Sequence, residues 1–188
     1  MENFNTYLAN IDTGFWRNIC AENGMLRRYK KGDCFCRAGE EKSLLGFITT
    51  GIFKYVITDS NGNEWVTGFV FADTPVGDFL NLVSDDLTRT DIIAVTDADV
   101  FVCEGFVVGC LFRENRALFA RTAEGLLRQT YNRFLNLYGQ SPKERYLALV
   151  AQCPEILQQV SLKELASYLQ ITPTHLSRIR KEITFNRE

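Results

Sequence analysis

Short apolar segments separated by glycines fill the first part of the chain and end near Leu111. Ten of the thirteen glycines lie between Gly24 and Gly109. The segments between them are rich in Phe, Val, Ile, Thr and Tyr, which suit a pleated, half-buried surface. Evenly spaced short strands with glycine turns indicate a sandwich or barrel. The sequence therefore predicts that residues 1–110 are mostly β-structure.

Two hairpins are predicted within this region. The first joins Ile52–Thr58 to Glu64–Phe71 through Asn61-Gly62, a pair that tolerates positive φ and is a strong turn signal. The second pairs residues 91–95 with residues 99–104 through a short turn between them.

The segment after Leu111 has the periodicity of one long helix. No proline occurs from Leu111 to Ser141, and a helix of about 28 residues would be roughly 40 Å long. In so small a protein, such a helix usually packs against a second copy of itself or against the β-rich region. A helix packed wholly within its own subunit is the alternative. The apolar residues that recur mostly on one side are Phe112, Phe119, Ala123, Leu126, Tyr131, Phe134 and Tyr138.

The last 28 residues carry the most specific pattern. Ser161 and Glu164 form a capping box at the start of one short helix, and Thr172-Pro173 begins a second. Two short helices joined by three or four residues, with the small Ala166 at their crossing, are typical of a helix-turn-helix. Gln170 stands in the turn where glycine is usual, and a left-handed conformation there would cost on the order of 1 kcal/mol.

The second of these helices presents groups that suit a DNA groove. Its hydroxyl, imidazole and guanidinium groups can hydrogen-bond to base edges and phosphates, and Arg178 suits either guanine or phosphate. The charge distribution also favours DNA binding by this helix. Residues 1–110 carry 9 Lys/Arg and 16 Asp/Glu, whereas residues 111–188 carry 12 Lys/Arg and 7 Asp/Glu. We therefore expect double-stranded DNA to meet the C-terminal part. The candidate contact residues are Thr172, Thr174, His175, Ser177, Arg178 and Lys181.

The start of the chain and its cysteines bear on the compartment. The segment Met1-Glu2-Asn3-Phe4-Asn5 lacks the basic flank and apolar run of a secretory signal, so we expect a cytoplasmic protein with free thiols. Cys34 and Cys36 would share one face of a strand, and their spacing differs from the Cys-x-x-Cys of zinc and redox motifs. Buried thiols are the favoured interpretation; a thiol or iron–sulfur sensor is the alternative.

Three segments carry a family resemblance that covers nearly the whole chain. Lys31-Gly32-Asp33 with residues 37–40 resembles the opening turns of a β-roll, and residues 47–54 resemble the strand pattern F-I-x-x-G-x-x-K. Residues 165–180 are the most specific segment. On these motifs the chain resembles the catabolite-activator/FNR superfamily of bacterial transcription regulators, its short Bacteroidetes members most of all.

The resemblance implies an α+β protein. It places an N-terminal double-stranded β-helix (a jelly roll like the cyclic-nucleotide-binding domain) at residues 1–110, a long dimerisation helix at 111–140 and a helix-turn-helix domain without a wing at 141–188. It also implies a homodimer that regulates transcription in response to a small effector in the β-roll, with RNA polymerase as a candidate partner.

The resemblance further locates an effector site at Gly77, Asp78, Arg89 and Thr90. Backbone amides near Gly77, with Arg89 and Thr90, would hold a cyclic phosphate, and Asp78 would accept from a ribose hydroxyl. Three departures from the family pattern weigh against a cyclic nucleotide: Asp78 is shorter than Glu, Leu80 replaces a small residue, and the spacing to Arg89 is one residue longer. They favour another small ligand, or none.

The DNA contacts depart from the family pattern as well. Pro173-Thr174 stands in place of the usual base-reading Arg-Glu pair, so the operator sequence cannot be carried over, and only Arg178 matches a family contact position. Two other hypotheses remain. A small-molecule sensor could use its nearly neutral tail helix to bind a protein partner. A metal-dependent cupin-like enzyme would need several inward histidines, but His175 is the only histidine, so we expect neither enzymatic activity nor a metal site.

Overall fold

The β-rich region folds as two four-stranded antiparallel sheets packed face to face. The computed structural model describes residues 4–5, 11–84 and 86–185. One sheet has the strand order β1-β8-β3-β6 and the other β2-β7-β4-β5. The strands are β1 (Gly24–Tyr29), β2 (Cys34–Cys36), β3 (Leu44–Thr50), β4 (Ile52–Thr58), β5 (Glu64–Phe71), β6 (Thr74–Val76), β7 (Asp91–Ala94) and β8 (Ala98–Glu104).

The core of this β-roll lies between the two sheets. Ile48 and Val100 from one sheet pack with Phe53 and Ile92 from the other, and all four are fully buried. Along β7 and β8, buried positions alternate with more exposed ones, as expected when one face of a strand meets the core. The predicted fold class, an antiparallel β-roll followed by helices, is confirmed.

The first predicted hairpin is confirmed in its bounds and its turn. β4 pairs with β5 from Ile52 opposite Phe71 to Thr58 opposite Glu64, and Gly62 has φ +82° in the turn. The Asp59 side chain holds the loop by accepting from the backbone N–H of Asn61 and Asn63, both at 2.9 Å.

The second predicted hairpin is wrong. β7 pairs with β2 and β4, whereas β8 pairs with β1 and β3 in the facing sheet. The segment between them crosses from one sheet to the other, and the Val95 N–H donates to the Ile52 carbonyl at 2.7 Å on the way. A hairpin and a crossover between facing sheets give the same alternating pattern, so periodicity could not separate them.

Eight helices accompany the two sheets in the part of the chain that the structure describes. The short α2 lies within the β-roll, α1 and α3 flank it, and the last five lead into the C-terminal region. They are α1 (Thr13–Glu22), α2 (Phe79–Val83), α3 (Gly105–Glu114), α4 (Arg116–Gly139), α5 (Pro142–Gln152), α6 (Ile156–Gln159), α7 (Leu162–Tyr168) and α8 (Pro173–Phe185). None of these helices is long and apolar enough to cross a bilayer.

The long helix is divided, contrary to the prediction of one unbroken helix from Leu111. Asn115 leaves helical geometry, with φ −121° and ψ 84°, and its side chain accepts from the Leu118 N–H at 2.9 Å. This cap ends α3 and begins α4, which has 24 residues and is therefore about 36 Å long. Asparagine competes for backbone N–H groups in this way, a signal that the apolar periodicity hides.

All six cysteines are free thiols. β2 is irregular between Cys34 and Cys36, and of these two thiols Cys36 is buried in the core whereas Cys34 is half-buried. Burial raises the pKa of Cys36 to about 12, which keeps this thiol protonated and poorly reactive near neutral pH. The described residues include no cluster of His, Cys, Asp and Glu that would hold a metal ion.

Candidate DNA-binding helix and effector site

The helix-turn-helix is formed by α7 and α8. The predicted capping box is present: the Glu164 N–H donates to Ser161 Oγ at 3.2 Å, and the Ser161 N–H donates to Glu164 Oε2 at 3.2 Å. Ala166 is fully buried at the crossing, with Leu176 of α8 in the same core. A larger side chain at Ala166 would force the two helices apart.

The turn between the helices adopts the left-handed conformation that the sequence predicted. Gln170 has φ 55°, and its N–H donates to the Ser167 carbonyl at 2.9 Å. The next N–H, of Ile171, donates to the Ala166 carbonyl at 3.0 Å. Thr172 Oγ1 then accepts from the His175 N–H at 3.2 Å and caps α8. These bonds satisfy the backbone of a tight turn that lacks the usual glycine.

The outer surface of α8 carries the predicted contact residues. Leu176 and Ile179 anchor the helix in the core, so the positions between and before them face solvent. Lys143 of α5 forms an ion pair with Glu182, the single acidic residue of α8. The pairing leaves the basic side chains of the helix in excess. The exposed candidates are Thr172, Thr174, His175, Arg178 and Lys181, and Ser177 is half-buried.

Contacts that the sequence did not reveal fix α7 to the β-roll. Lys54 of β4 forms an ion pair with Glu164 at 2.9 Å, and both side chains are largely buried. The Val66 N–H of β5 donates to Ser167 Oγ at 2.8 Å. Both contacts span about a hundred residues of sequence, so no local pattern could have indicated them.

The long helix α4 also holds α7. The Arg133 guanidinium lies 4.0 Å from the centre of the Tyr168 ring and donates to the Tyr168 carbonyl at 3.3 Å. Phe69 of β5 packs against the same ring. Tyr168 therefore touches both the β-roll and the long helix.

The structure brings Asp78 and Arg89 together, but through the Arg89 backbone. Asp78 Oδ2 accepts from the Arg89 N–H at 3.1 Å, and Oδ1 caps α2 by accepting from the Leu80 N–H at 3.1 Å. The Asp78 carboxylate is thus already engaged with main-chain donors. The Arg89 guanidinium is exposed and 3.8 Å from Asp86.

Gly77 and Thr90 lie on either side of this pair in sequence. The Gly77 carbonyl accepts from the Tyr55 hydroxyl at 3.0 Å, and a Cβ at Gly77 would come within 2.8 Å of the Leu44 carbonyl oxygen. Thr90 is half-buried. The adjoining cavity, lined by Tyr55, Gly77 and Leu126 among others, measures about 80 Å³. Pockets that hold small-molecule ligands have about 300–1,000 Å³, so this cavity is too small for a nucleotide.

The comparison with protein families gives a match within the β-roll. Residues 26–105 match the family model of the cyclic nucleotide-binding domain. None of the curated proteins has a significant match to the chain.

Solved structures extend the likeness to the C-terminal helices. FixK2 from Bradyrhizobium japonicum superposes with a TM-score of 0.73 at 18% identity, over 87% of this chain and 85% of its own. The c-di-GMP responsive global regulator CLP from Xanthomonas campestris has a TM-score of 0.69 at 19% identity, over 93% of both chains. The catabolite activator protein of Thermus thermophilus has a TM-score of 0.57 at 16% identity, over 96% of this chain and 87% of its own. Residues 26–105 therefore match the cyclic nucleotide-binding domain family, and the chain shares the fold of these solved structures, the fold that its sequence motifs predicted.

Proposed function

We propose that this protein is a sequence-specific DNA-binding transcription regulator that acts as a homodimer. The observation that carries the proposal is the exposed edge of α8, with Thr174 and Arg178 turned to solvent while Leu176 and Ile179 hold the helix in its core. A helix supported from behind, with polar and basic groups outward, can enter a major groove. Such a regulator would work in the cytoplasm, with double-stranded DNA and RNA polymerase as partners.

The proposed dimer forms through α4. Leu127, Tyr131, Phe134 and Tyr138 are exposed at steps of four, three and four residues, the spacing of a coiled-coil seam. Tyr138 is 80% exposed, an unusual state for so large an aromatic side chain. Two copies of α4 packed along this stripe would bury it. For both α8 helices to enter successive major grooves, the dimer must hold them about 34 Å apart, one turn of DNA.

Under this proposal the chain has three functional parts, with the sensor at residues 1–110, the dimerisation helix at 111–140 and the DNA-binding unit at 141–188. We place a small effector near Gly77, Asp78, Arg89 and Thr90. A cyclic mononucleotide is not favoured as that effector, because the Asp78 carboxylate is occupied and the adjoining cavity is small.

Arg178→Ala tests the DNA-binding proposal. A DNA site is first selected from a random duplex library, and binding to it is measured by fluorescence anisotropy at fixed salt. We expect Arg178→Ala to weaken specific binding by about 1–3 kcal/mol, roughly ten- to a hundredfold. Arg28→Ala is the matched control, because Arg28 is an exposed arginine on β1 at the surface of the β-roll. Recovery of no preferred sequence, together with specific capture of a protein by the C-terminal helices, would favour the protein-binding sensor instead.

A further inference from the structure

A cleft lies between the β-roll and the C-terminal helices. Its walls come from β5, the second half of α4, α5 and α7, and its volume is about 590 Å³. This size falls within the range of pockets that bind metabolites and cofactors, about 300–1,000 Å³. In the described structure, Gly77, Asp78, Arg89 and Thr90 do not line it. The cleft shares Tyr55 and Leu126 with the small cavity beside Gly77, so it adjoins the effector site proposed above but uses different polar residues.

The interdomain cleft is positively charged. Arg133 and Arg145 line it, and its described lining contains no Asp or Glu. The seven ion pairs between described residues include neither arginine. Both guanidinium groups instead donate to backbone carbonyls, at 3.3 Å for Arg133 to Tyr168 and 2.7 Å for Arg145 to Gln140. Carbonyl dipoles orient a guanidinium without cancelling its charge, so this charge stays available to an anion.

Two polar atoms in the cleft wall need partners. Arg145 Nε and Gln140 Oε1 are buried, and neither has a hydrogen bond among the described residues. An unpaired donor or acceptor costs about 1–3 kcal/mol when it is kept from water. Both atoms lie beneath the cleft surface, so a ligand bound in the cleft would reach them only after the two side chains turn toward it. The remaining lining is rich in neutral amides, including Asn132 and Asn136, which hydrogen-bond to hydroxyl and carbonyl groups alike.

We propose that the interdomain cleft binds a small hydroxylated anion, either a hydroxy acid or a sugar phosphate. Arg133 and Arg145 hold its carboxylate or phosphate, and the amides of Asn132 and Asn136 hydrogen-bond to its hydroxyl groups. The ligand would touch β5, α4, α5 and α7 at once, so its binding would stiffen the junction that carries α8. Ligand binding in the cleft does not require DNA to be bound.

The test is isothermal titration calorimetry of the full chain at constant ionic strength. Citrate and glucose 6-phosphate are the two anionic probes, and glucose is the neutral control. We expect one anion to bind saturably with a Kd on the order of 1 mM or tighter, and glucose not to bind. Whichever anion binds identifies the anionic group, carboxylate or phosphate, that the site prefers.

Four variants locate the binding. Arg133→Gln and Asn136→Asp should each weaken it at least about tenfold, which corresponds to 1.4 kcal/mol. Arg128→Gln is the matched control, since Arg128 is an exposed arginine of the same helix that pairs with Glu124 and does not line the cleft. Asn136 is exposed, so Asn136→Asp tests the site even if Arg133→Gln fails to fold. Arg89→Gln shows whether the anion binds instead at the proposed effector site.

Three outcomes would overturn the proposal. The first is no saturable heat with either anion. The second is equal weakening in Arg128→Gln and Asn136→Asp, which indicates nonspecific charge attraction. The third is loss of binding in Arg89→Gln alone, which places the anion in the effector site. No DNA is present in these titrations, so each outcome is distinct from failure of the regulator proposal.

Discussion

Truncation of Leu176 should unfold the helix-turn-helix while leaving the β-roll intact. Leu176 has no exposed surface and lies in the core that α8 shares with Leu165, Ala166 and Ile179. Leu176→Ala loses the transfer free energy of the removed carbons and also leaves a cavity between the two helices. Across proteins these two contributions together cost 2–5 kcal/mol. Because Ala166, on the facing helix, has no long side chain to refill the space, we expect about 3 kcal/mol here.

Leu147→Ala is the matched control for this change. Leu147 lies on α5 of the same unit but is 40% exposed, so truncating it removes the same atoms from a partly wetted surface. Full burial of a leucine side chain contributes about 1.5–3 kcal/mol, and a surface position that forms no cavity should therefore lose about 1 kcal/mol or less. The two variants lose the same leucine carbons. The difference between their losses of unfolding free energy therefore measures how much close packing at Leu176 stabilises the helix pair.

The assay is urea denaturation followed by two probes. Far-ultraviolet circular dichroism reports all helices, and amide hydrogen exchange read by mass spectrometry separates α7 and α8 from the strands. For Leu176→Ala we expect exchange in α7 and α8 to accelerate at urea concentrations where β3, β4 and β8 remain protected. Specific DNA binding should fall in parallel, because Arg178 sits between Leu176 and Ile179 on α8. Equal losses of unfolding free energy in the two variants would refute the packing argument.

Three further predictions address the dimer, acid stability and the turn. Tyr131→Glu places a charge in the exposed stripe of α4, so sedimentation velocity should show a shift from dimer to monomer while circular dichroism is unchanged; a persistent dimer would exclude this stripe as the interface. Hydrogen bonds from Asn63 and Trp65 lower the pKa of Asp59 to about 2 from an ordinary 3.8, so its contribution to stability is present above about pH 4 and is lost as the pH falls toward 2. Asp59→Asn should therefore flatten thermal stability across that window, and an unchanged pH profile would contradict the assignment. At Gln170, with φ 55°, a β-branched side chain is strongly disfavoured, whereas glycine adopts this conformation without strain. In urea titration, Gln170→Val should therefore lower the unfolding free energy and Gln170→Gly should not; equal losses in the two variants would contradict this reasoning.

The hairpin and the helix-turn-helix could be predicted because local chemistry determines them. Asn61-Gly62 supplies a turn residue at φ +82° whatever surrounds it, and a serine three residues before a glutamate satisfies a helix start with its own atoms. Each signal involves residues only a few positions apart, so it can be recognised in a single sequence.

The features that could not be predicted depend on long-range pairing. β7 and β8 follow one another in sequence yet belong to opposite sheets, a choice made by the other strands of the roll. The break at Asn115 depended on one side chain capping its neighbour within an otherwise helical pattern. The engagement of Asp78 with the Arg89 N–H likewise required the loop to close, which residue types at similar spacing could not reveal.

The arrangement around α7 determines how a movement of the β-roll can reach α8. Lys54 and the Val66 N–H of the β-roll hold one side of α7, and Arg133 of α4 holds Tyr168 at its end. By contrast, α8 is anchored through its packing on α7 and one ion pair to α5. A displacement of β4 and β5 relative to α4 must therefore either carry α7 along or break the partly buried Lys54–Glu164 ion pair or the Arg133–Tyr168 cation–π contact. Movement of α7 as a rigid unit keeps the ion pair and its packing with α8, so α8 moves with it.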